Sequence, residues 1–278
     1  MKLIVLPDEA AVAQEAARLT VEGLAAGLAS NGAAHIALTG GSSAMPIYSA
    51  LAREPFRYAL RWSDVHFWWG DDRFVPRDHP ESNFGQASRL LFGAAAFAGS
   101  GTGAEGTDVE SGAVPGLMVD VDKVHPIDTE GAIATGAGPE WAAAAYANEI
   151  ASLMPSGAGG VPLFDVFLAG VGPDGHCLSV FPNSPALAAD APLVMGIPAP
   201  THVEPHLPRV TLVPRVMDAA GVVIMVVIGD NKADVMATVL GGERDVARWP
   251  AQTAILDNAV WILDEGAAGK LPAEMRAG

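Results

Sequence analysis

The chain has 278 residues, half of them apolar, and a formal charge of −16 from 32 acidic against 16 basic side chains. That length and apolar content bury a substantial core and exclude bulk disorder, while the acidity and the scattered Lys and Arg exclude an extended phosphate backbone such as DNA as a partner. Cys177 is alone and forms no internal disulfide, the apolar run after Lys2 stops at Pro7, and the run over 219–229 falls well short of the roughly 20 residues of a membrane span. The expectation is a cytoplasmic protein with neither a nucleic-acid nor a membrane partner.

In chain order, β-branched and aliphatic runs at 3–6, 35–38, 65–69, 164–169, 222–228 and 260–263 predict strands, each running into Gly, Asp or Pro. Helical patterns lie between several of them. Residues 9–30 are alanine-rich with Val12, Ala16, Leu19 and Leu24 on one face, and 141–153 and 232–240 repeat the habit more briefly. Continuous apolar strands alternating with helices predict an α/β fold, Rossmann-like, with a mostly parallel sheet flanked by helices on both faces. We read residues 1–278 as one domain. The stretch 93–116, rich in Gly, Ala and Ser and lacking either period, reads as a surface insertion within it. Trp62, Trp68 and Trp69, in or beside a strand, are expected in the core.

Ligands of such sheets collect beyond the carboxyl ends of the strands, so the chemistry is sought in three strand-end loops. The first is Thr39, Gly40, Gly41, Ser42 and Ser43. Two glycines and a following helix N-terminus suit a phosphate, although a plain strand-to-helix turn has the same letters, and Ser42 and Ser43 suit either capping or phosphate donation. The lysine of a nucleotide-triphosphate P-loop is missing. The second loop is Gly70-Asp71-Asp72-Arg73 to Pro76, followed by Ser82-Asn83. Two carboxylates beside Arg73 are expected to hold its guanidinium so that its remaining donors face an anion; a surface ion pair is the plainer alternative.

The third loop, GVGPDGHCLSVFP from Gly170, has the G-x-G-x-x-G spacing of a dinucleotide site. Its surroundings oppose that reading: Pro182 and Pro185 leave room for only a short helical turn, and Asp190 sits in AADAP rather than at a strand end. The glycines instead lift His176 to the open end of the sheet, with Asp174 two residues before it. His202 and His206 flank Pro205, which denies them one helical face, and no cysteine assists, so neither metal nor cofactor is expected. No G-x-S-x-G occurs, which leaves a serine esterase unsupported.

With these loops in this order the sequence resembles the 6-phosphogluconolactonases, a branch of the superfamily that includes glucosamine-6-phosphate deaminase. The matching stretches are LTGGSSA (38–44), WSDVHFWWGDDRFVP (62–76) with SN (82–83), FDVFLAGVGPDGHCLSVFP (164–182), PRVTL (208–212) and GDNKADV (229–235). GPDGH-x-x-S-x-FP is the most specific of them. Asp72 stands where the family usually has Glu, and Ser43-Ala44 where it usually has Thr-Pro.

The resemblance implies hydrolysis of the δ-lactone of 6-phosphogluconate, a sugar-phosphate lactone, in the pentose phosphate pathway. On that reading His176 is the general base, oriented by Asp174 or Asp71, and Arg73 or the glycine-loop amides stabilise the oxyanion. Thr39, Gly40, Gly41, Ser42 and Ser43 hold the phosphate with Lys232 and, as a weaker addition, Arg209. The alternatives are a deaminase or isomerase on the same fold and a non-catalytic sugar-phosphate-binding protein. The oligomeric state stays open, with a monomer as the default.

Overall fold

The computed structural model describes residues 1–93 and 116–276. The insertion expected over 93–116 therefore lies outside the described residues except for its two end glycines. The strands are β1 (Lys2–Leu6), β2 (Ala34–Leu38), β3 (Val65–Trp69), β4 (Asp71–Arg73), β5 (Val124–His125), β6 (Val166–Ala169), β7 (Val194–Ile197), β8 (Arg209–Leu212), β9 (Val222–Val227) and β10 (Ala259–Asp264). The helices are α1 (Glu9–Asn31), α2 (Ala44–Leu51), α3 (Asn83–Leu91), α4 (Thr129–Ala134), α5 (Pro139–Leu153), α6 (Ala233–Gly241) and α7 (Ala273–Arg276).

The large sheet has the order β1-β10-β9-β6-β2-β3-β5 and is parallel throughout. From β2 the chain builds outward through β3 and β5 on one side, and then through β6, β9 and β10 on the other. The order therefore reverses between β2 and β6, which opens a crevice at their carboxyl ends. Both faces are covered, which is why these strands are apolar without alternation. All five residues of β2 are buried. In β3, Phe67 meets Phe92 beyond α3 edge to face at 5.1 Å, while the next residue, Trp68, turns to the opposite face and to Tyr146 of α5. Trp62, Trp68 and Trp69 are core residues, as expected.

The helix starts follow local chemistry. Asp8 caps α1 by accepting from the Ala11 N–H at 2.8 Å, and Gly32 ends it in the left-handed region with φ 75°. The helix expected over 141–153 begins two residues earlier, at Pro139, where the missing N–H costs nothing. The one expected over 232–240 is preceded by a 3₁₀ turn over Asp230–Lys232.

The small sheet (β4, β7 and β8) and the short β5 were not among the expected strands. Residues 70–76, read as a loop, contain β4, which pairs antiparallel with β8, itself antiparallel to β7. The chain steps from the large sheet to the small one at Gly70, whose N–H donates to Leu38 O at 2.8 Å and whose carbonyl accepts from Leu212 N at 2.8 Å. A three-residue strand spelling Asp-Asp-Arg carries no apolar alternation, so only its partner β8 makes it a strand.

Candidate functional site

A cavity of about 180 Å³ opens where the loops after β2, β3, β6 and β9 converge. Its volume suits a small polar ligand and lies below the ~300–1,000 Å³ of clefts for drug-sized molecules, so it does not accommodate a dinucleotide. Thr39, Gly40, Gly41, Ser42, Ser43, Asp71, Arg73, His176, Arg209 and Lys232 all line it, and Asp174 stands directly behind His176. The geometry thus brings these residues together, while Asp72 of the second loop does not line the cavity.

The glycine loop turns on itself through the Ala44 N–H, which donates to Gly41 O at 3.1 Å. Tyr48 of α2 fastens its root, donating its hydroxyl proton to Thr39 O at 2.6 Å and accepting from Thr39 N at 2.9 Å. The Thr39 amide is therefore already occupied. Ser43 stands at the cap position of α2 without making a side-chain capping bond, which removes capping as the reason for that hydroxyl. A Cβ on Gly40 would sit 1.8 Å from Oδ1 of Asn83. Asn83 lies deep in the site with Nδ2 donating to Asp71 O at 2.9 Å, and its Oδ1 is buried without a protein partner.

The expected clamp of Arg73 between Asp71 and Asp72 is not formed. Asp72 is 2% exposed and works as an anchor for the start of α3, accepting from the backbone N–H of Arg73 (2.7 Å), Asn83 (2.6 Å) and Phe84 (3.0 Å). Burial pushes its carboxyl up to about 6 against those three donors, with Asp71 adding to the rise. Asp71 accepts instead from the Ser179 hydroxyl at 2.6 Å. The guanidinium of Arg73 is held by Glu81, through Nη1 to the carbonyl at 3.0 Å and to Oε2 at 2.9 Å. Adjacent carboxylates point to opposite sides of a strand, so Asp71 and Asp72 cannot both reach one neighbour.

Arg73 and Arg209 are directly opposed in the β4–β8 register. Arg209 is 2% exposed, covers the Phe181 ring at 5.4 Å, and donates through Nη2 to Pro205 O at 3.0 Å. Burial and then the charge of Arg73 both lower its hold on its proton. The Nε atoms of both arginines are buried without protein partners. Two like charges so placed repel, and a bound anion between or beside them offsets the cost. Lys232 adds a third cation, donating through Nζ to Val171 O at 2.8 Å across the gap between the β6 and β9 loops.

The third loop is built for its histidine. Gly172 donates to His176 O at 2.8 Å, and a Cβ on Gly172 would lie 2.0 Å from Nδ1 and Cε1 of the imidazole. Gly175 makes the turn with φ 79°. The glycines therefore seat an imidazole where a nucleotide fingerprint would seat a pyrophosphate. Nδ1 of His176 donates to Asp174 Oδ1 at 2.5 Å, which selects Asp174 over Asp71 as its carboxylate. Among the described residues Nε2 of His176 has no protein hydrogen-bond partner. Burial would raise the Asp174 carboxyl, but the hydrogen bond and charge of His176, and then His202, hold it well below the usual carboxylate range. Next, Leu178 adopts φ 56°, uncommon outside glycine, in a tight turn that closes Val180 N onto Cys177 O at 3.0 Å and delivers buried Ser179 to Asp71.

Several contributors were not singled out as site residues in the sequence. Asn83 and Ser179 stood in matched motifs, but nothing local indicated that they meet at Asp71. Val203 and Glu204 line the cavity from the loop before β8, and His202 reaches Asp174 from the same loop. Its only sequence signal was the pair of His202 and His206 on either side of Pro205, weighed there as metal ligands. Among the described residues, no three His, Cys, Asp or Glu side chains are grouped as for a metal ion, and no helix is long and apolar enough to cross a membrane.

A switch-point crevice that combines a free imidazole nitrogen with two guanidiniums and an ammonium has the layout of an α/β protein acting on a small anionic ligand. The family profile described as glucosamine-6-phosphate isomerases/6-phosphogluconolactonase matches residues 7–261. The chain belongs to that family. It is 33% identical over 279 residues to a 6-phosphogluconolactonase of Streptomyces coelicolor, covering 98% of this chain and 95% of that one. The corresponding Mycobacterium tuberculosis protein is 32% identical over 269 residues, covering 96% and 97%. Among solved structures, the 6-phosphogluconolactonase of Trypanosoma brucei superposes with a TM-score of 0.79 at 27% identity over 98% of both chains. A monomeric glucosamine-6-phosphate deaminase, at a TM-score of 0.72 and 15% identity over 97% of this chain and 100% of its own, shares the fold.

Proposed function

We propose that this chain, acting as a single domain, hydrolyses 6-phospho-D-glucono-1,5-lactone to 6-phosphogluconate in the oxidative pentose phosphate pathway. The observation that carries the reading is the opening of His176, backed by Asp174, into the same cavity as the glycine loop, Lys232, Arg73 and Arg209. The names of relatives that match nearly the whole chain support it.

The chemistry follows from the residues. Asp174 fixes His176 as the tautomer carrying its proton on Nδ1, which leaves the Nε2 lone pair for water. As Nε2 takes a proton, the water oxygen bonds to C1 and the carbonyl electrons move to its oxygen. Arg73, with Arg209 behind it, offsets that oxyanion, an effect worth roughly 10²–10³ in rate for a fixed donor. Collapse breaks the bond between C1 and the ring oxygen, and the imidazolium returns its proton to that oxygen as it leaves. The carboxylic acid formed loses its proton to solvent. Gly41, Ser42 and Ser43 with Lys232 hold the phosphate. A strained cyclic ester opens without a Lewis acid, so the step needs no metal or covalent intermediate.

The test is a paired assay of lactone hydrolysis and glucosamine-6-phosphate deamination, with a chelator present and His176→Ala as control. Lactonase activity that persists with chelator and falls in the variant is expected. Deamination without lactonase activity would overturn the reading, and sugar-phosphate binding without either activity would replace it with a binding protein.

A further inference from the structure

The two oxygens of Asp174 hold two different imidazoles. Oδ1 accepts from Nδ1 of His176 at 2.5 Å, and Oδ2 accepts from Nε2 of His202 at 2.8 Å. His176 is 14% exposed and lines the cavity; His202 is 50% exposed and does not, although its neighbours Val203 and Glu204 do. Phe181 packs both rings, tilted against His176 at 4.7 Å and edge-on to His202 at 5.8 Å. The result is a short chain of contacts from an enclosed imidazole through a shielded carboxylate to an imidazole in solvent.

Two consequences follow. A carboxylate bonded at one oxygen turns about its Cβ–Cγ bond, whereas one bonded at both is fixed, and Asp174 in turn fixes the His176 tautomer. The second is electrostatic. A charged His202 draws on the same negative charge that stabilises the His176 imidazolium, so protonating His202 weakens the base. The other charged groups facing Asp174 are Lys232 and Arg209, with Arg73 behind Arg209; burial lowers the hold of Lys232 and Arg209 on their protons, and the charge of Asp174 strengthens it. In the same loop His206 is occupied by Glu204 and Pro200 O.

We infer that His202 is a positioning residue for the proposed lactonase, acting through Asp174 to set the orientation and basicity of His176. The inference rests on the functional reading above. It is tested by measuring kcat and KM for lactone hydrolysis between pH 5 and 8 in the wild type, His202→Ala, His202→Gln and His176→Ala, with thermal melts of each. His202→Ala is expected to lower kcat about tenfold with KM within about twofold, and to move the acid limb of kcat/KM upward by about half a pH unit. His202→Gln, which keeps a donor and loses the charge, restores kcat to within about threefold of wild type. An active wild type with His176→Ala inactive and His202→Ala unchanged in kcat and acid limb overturns the inference alone. A loss of kcat that Gln does not rescue, with the acid limb unmoved, also overturns it. A wild type without lactonase activity sinks the functional reading and the inference together.

Discussion

Two imidazole–carboxylate pairs sit on the large sheet and look alike in a list of contacts. His176 meets Asp174 at the crevice, and His125 of β5 meets Glu149 of α5 at 2.8 Å between sheet and helix. The difference lies in the second ring nitrogen. Nε2 of His125 accepts from Nδ1 of His66 at 2.9 Å, and its ring stacks on Trp68 at 3.9 Å and His66 at 5.2 Å. His35 joins the stack, accepting from Trp68 Nε1 at 3.2 Å. Burial first, and then the neighbouring imidazoles, push His35 and His66 down to about 4. The His35 and His66 rings are therefore neutral and packed, and both nitrogens of His125 are engaged. His176 keeps one nitrogen unpartnered above a cavity lined by cations. A carboxylate contact therefore does not mark a catalyst; a free lone pair facing a ligand space does.

The sharpest way to break the comparison is to delete each ring in turn. His176→Ala is expected to lower kcat by roughly 10²–10⁴ with little change in melting temperature. His125→Ala should do the reverse, lowering the melting temperature and leaving kcat near wild type. Steady-state kinetics and thermal melts of both variants decide it, and an inactive but stably folded His125→Ala would refute the contrast. Next in size is Gly172→Ala. Its new methyl has no room 2.0 Å from the imidazole, so the ring must shift, and a displacement on the order of 1 Å costs up to roughly 10² in kcat/KM. A Gly172→Ala enzyme of wild-type activity would mean that the ring's seat is unimportant. Ser179→Ala is smaller again. It leaves the buried Oδ2 of Asp71 without its donor, for an expected loss of about 1–3 kcal/mol in urea unfolding, with KM for the lactone changed little.

What the sequence made legible follows the same division between local and assembled features. The parallel strands other than the two-residue β5 were readable because both of their faces are covered, which turns each into a continuous apolar run such as VVIMVV in β9. The seat of His176 was readable because turn residues act within a few positions. The small sheet was not, since β4 is polar and β7 carries a glycine in four residues, so each is a strand only through its partners. The holder of Arg73 was misjudged for a related reason. Asp72 adjoins it in sequence but faces the start of α3, whereas Glu81 comes back from eight residues on. His202 lies 28 residues from Asp174, and only the return of the chain through β7 brings them together.

The smallest effect expected is also the one that isolates the neutral cluster. The unfolded chain takes up a proton on His35 below about pH 6.5, while the folded ring resists until about pH 4. The stability that the neutral ring contributes is therefore complete above pH 6.5 and drains away as pH falls toward 4. His35→Asn keeps an acceptor for Trp68 Nε1 but cannot titrate. At pH 7.5 the variant should be the less stable by about 1 kcal/mol, from lost packing and a poorer hydrogen bond, or roughly 2–4 °C in a chain of this length. By pH 5 the gap should close or reverse, because only the wild type carries the pull from His35, while the pull from His66 acts on both chains. Asp72, with its carboxyl raised to about 6, gains stability over part of the same range, but it is present in both chains and cancels from their difference. A gap that stays constant from pH 7.5 to 5 would show that the buried stack titrates no differently from the unfolded chain, and the distinction between the two imidazole–carboxylate pairs would then rest on the free nitrogen alone.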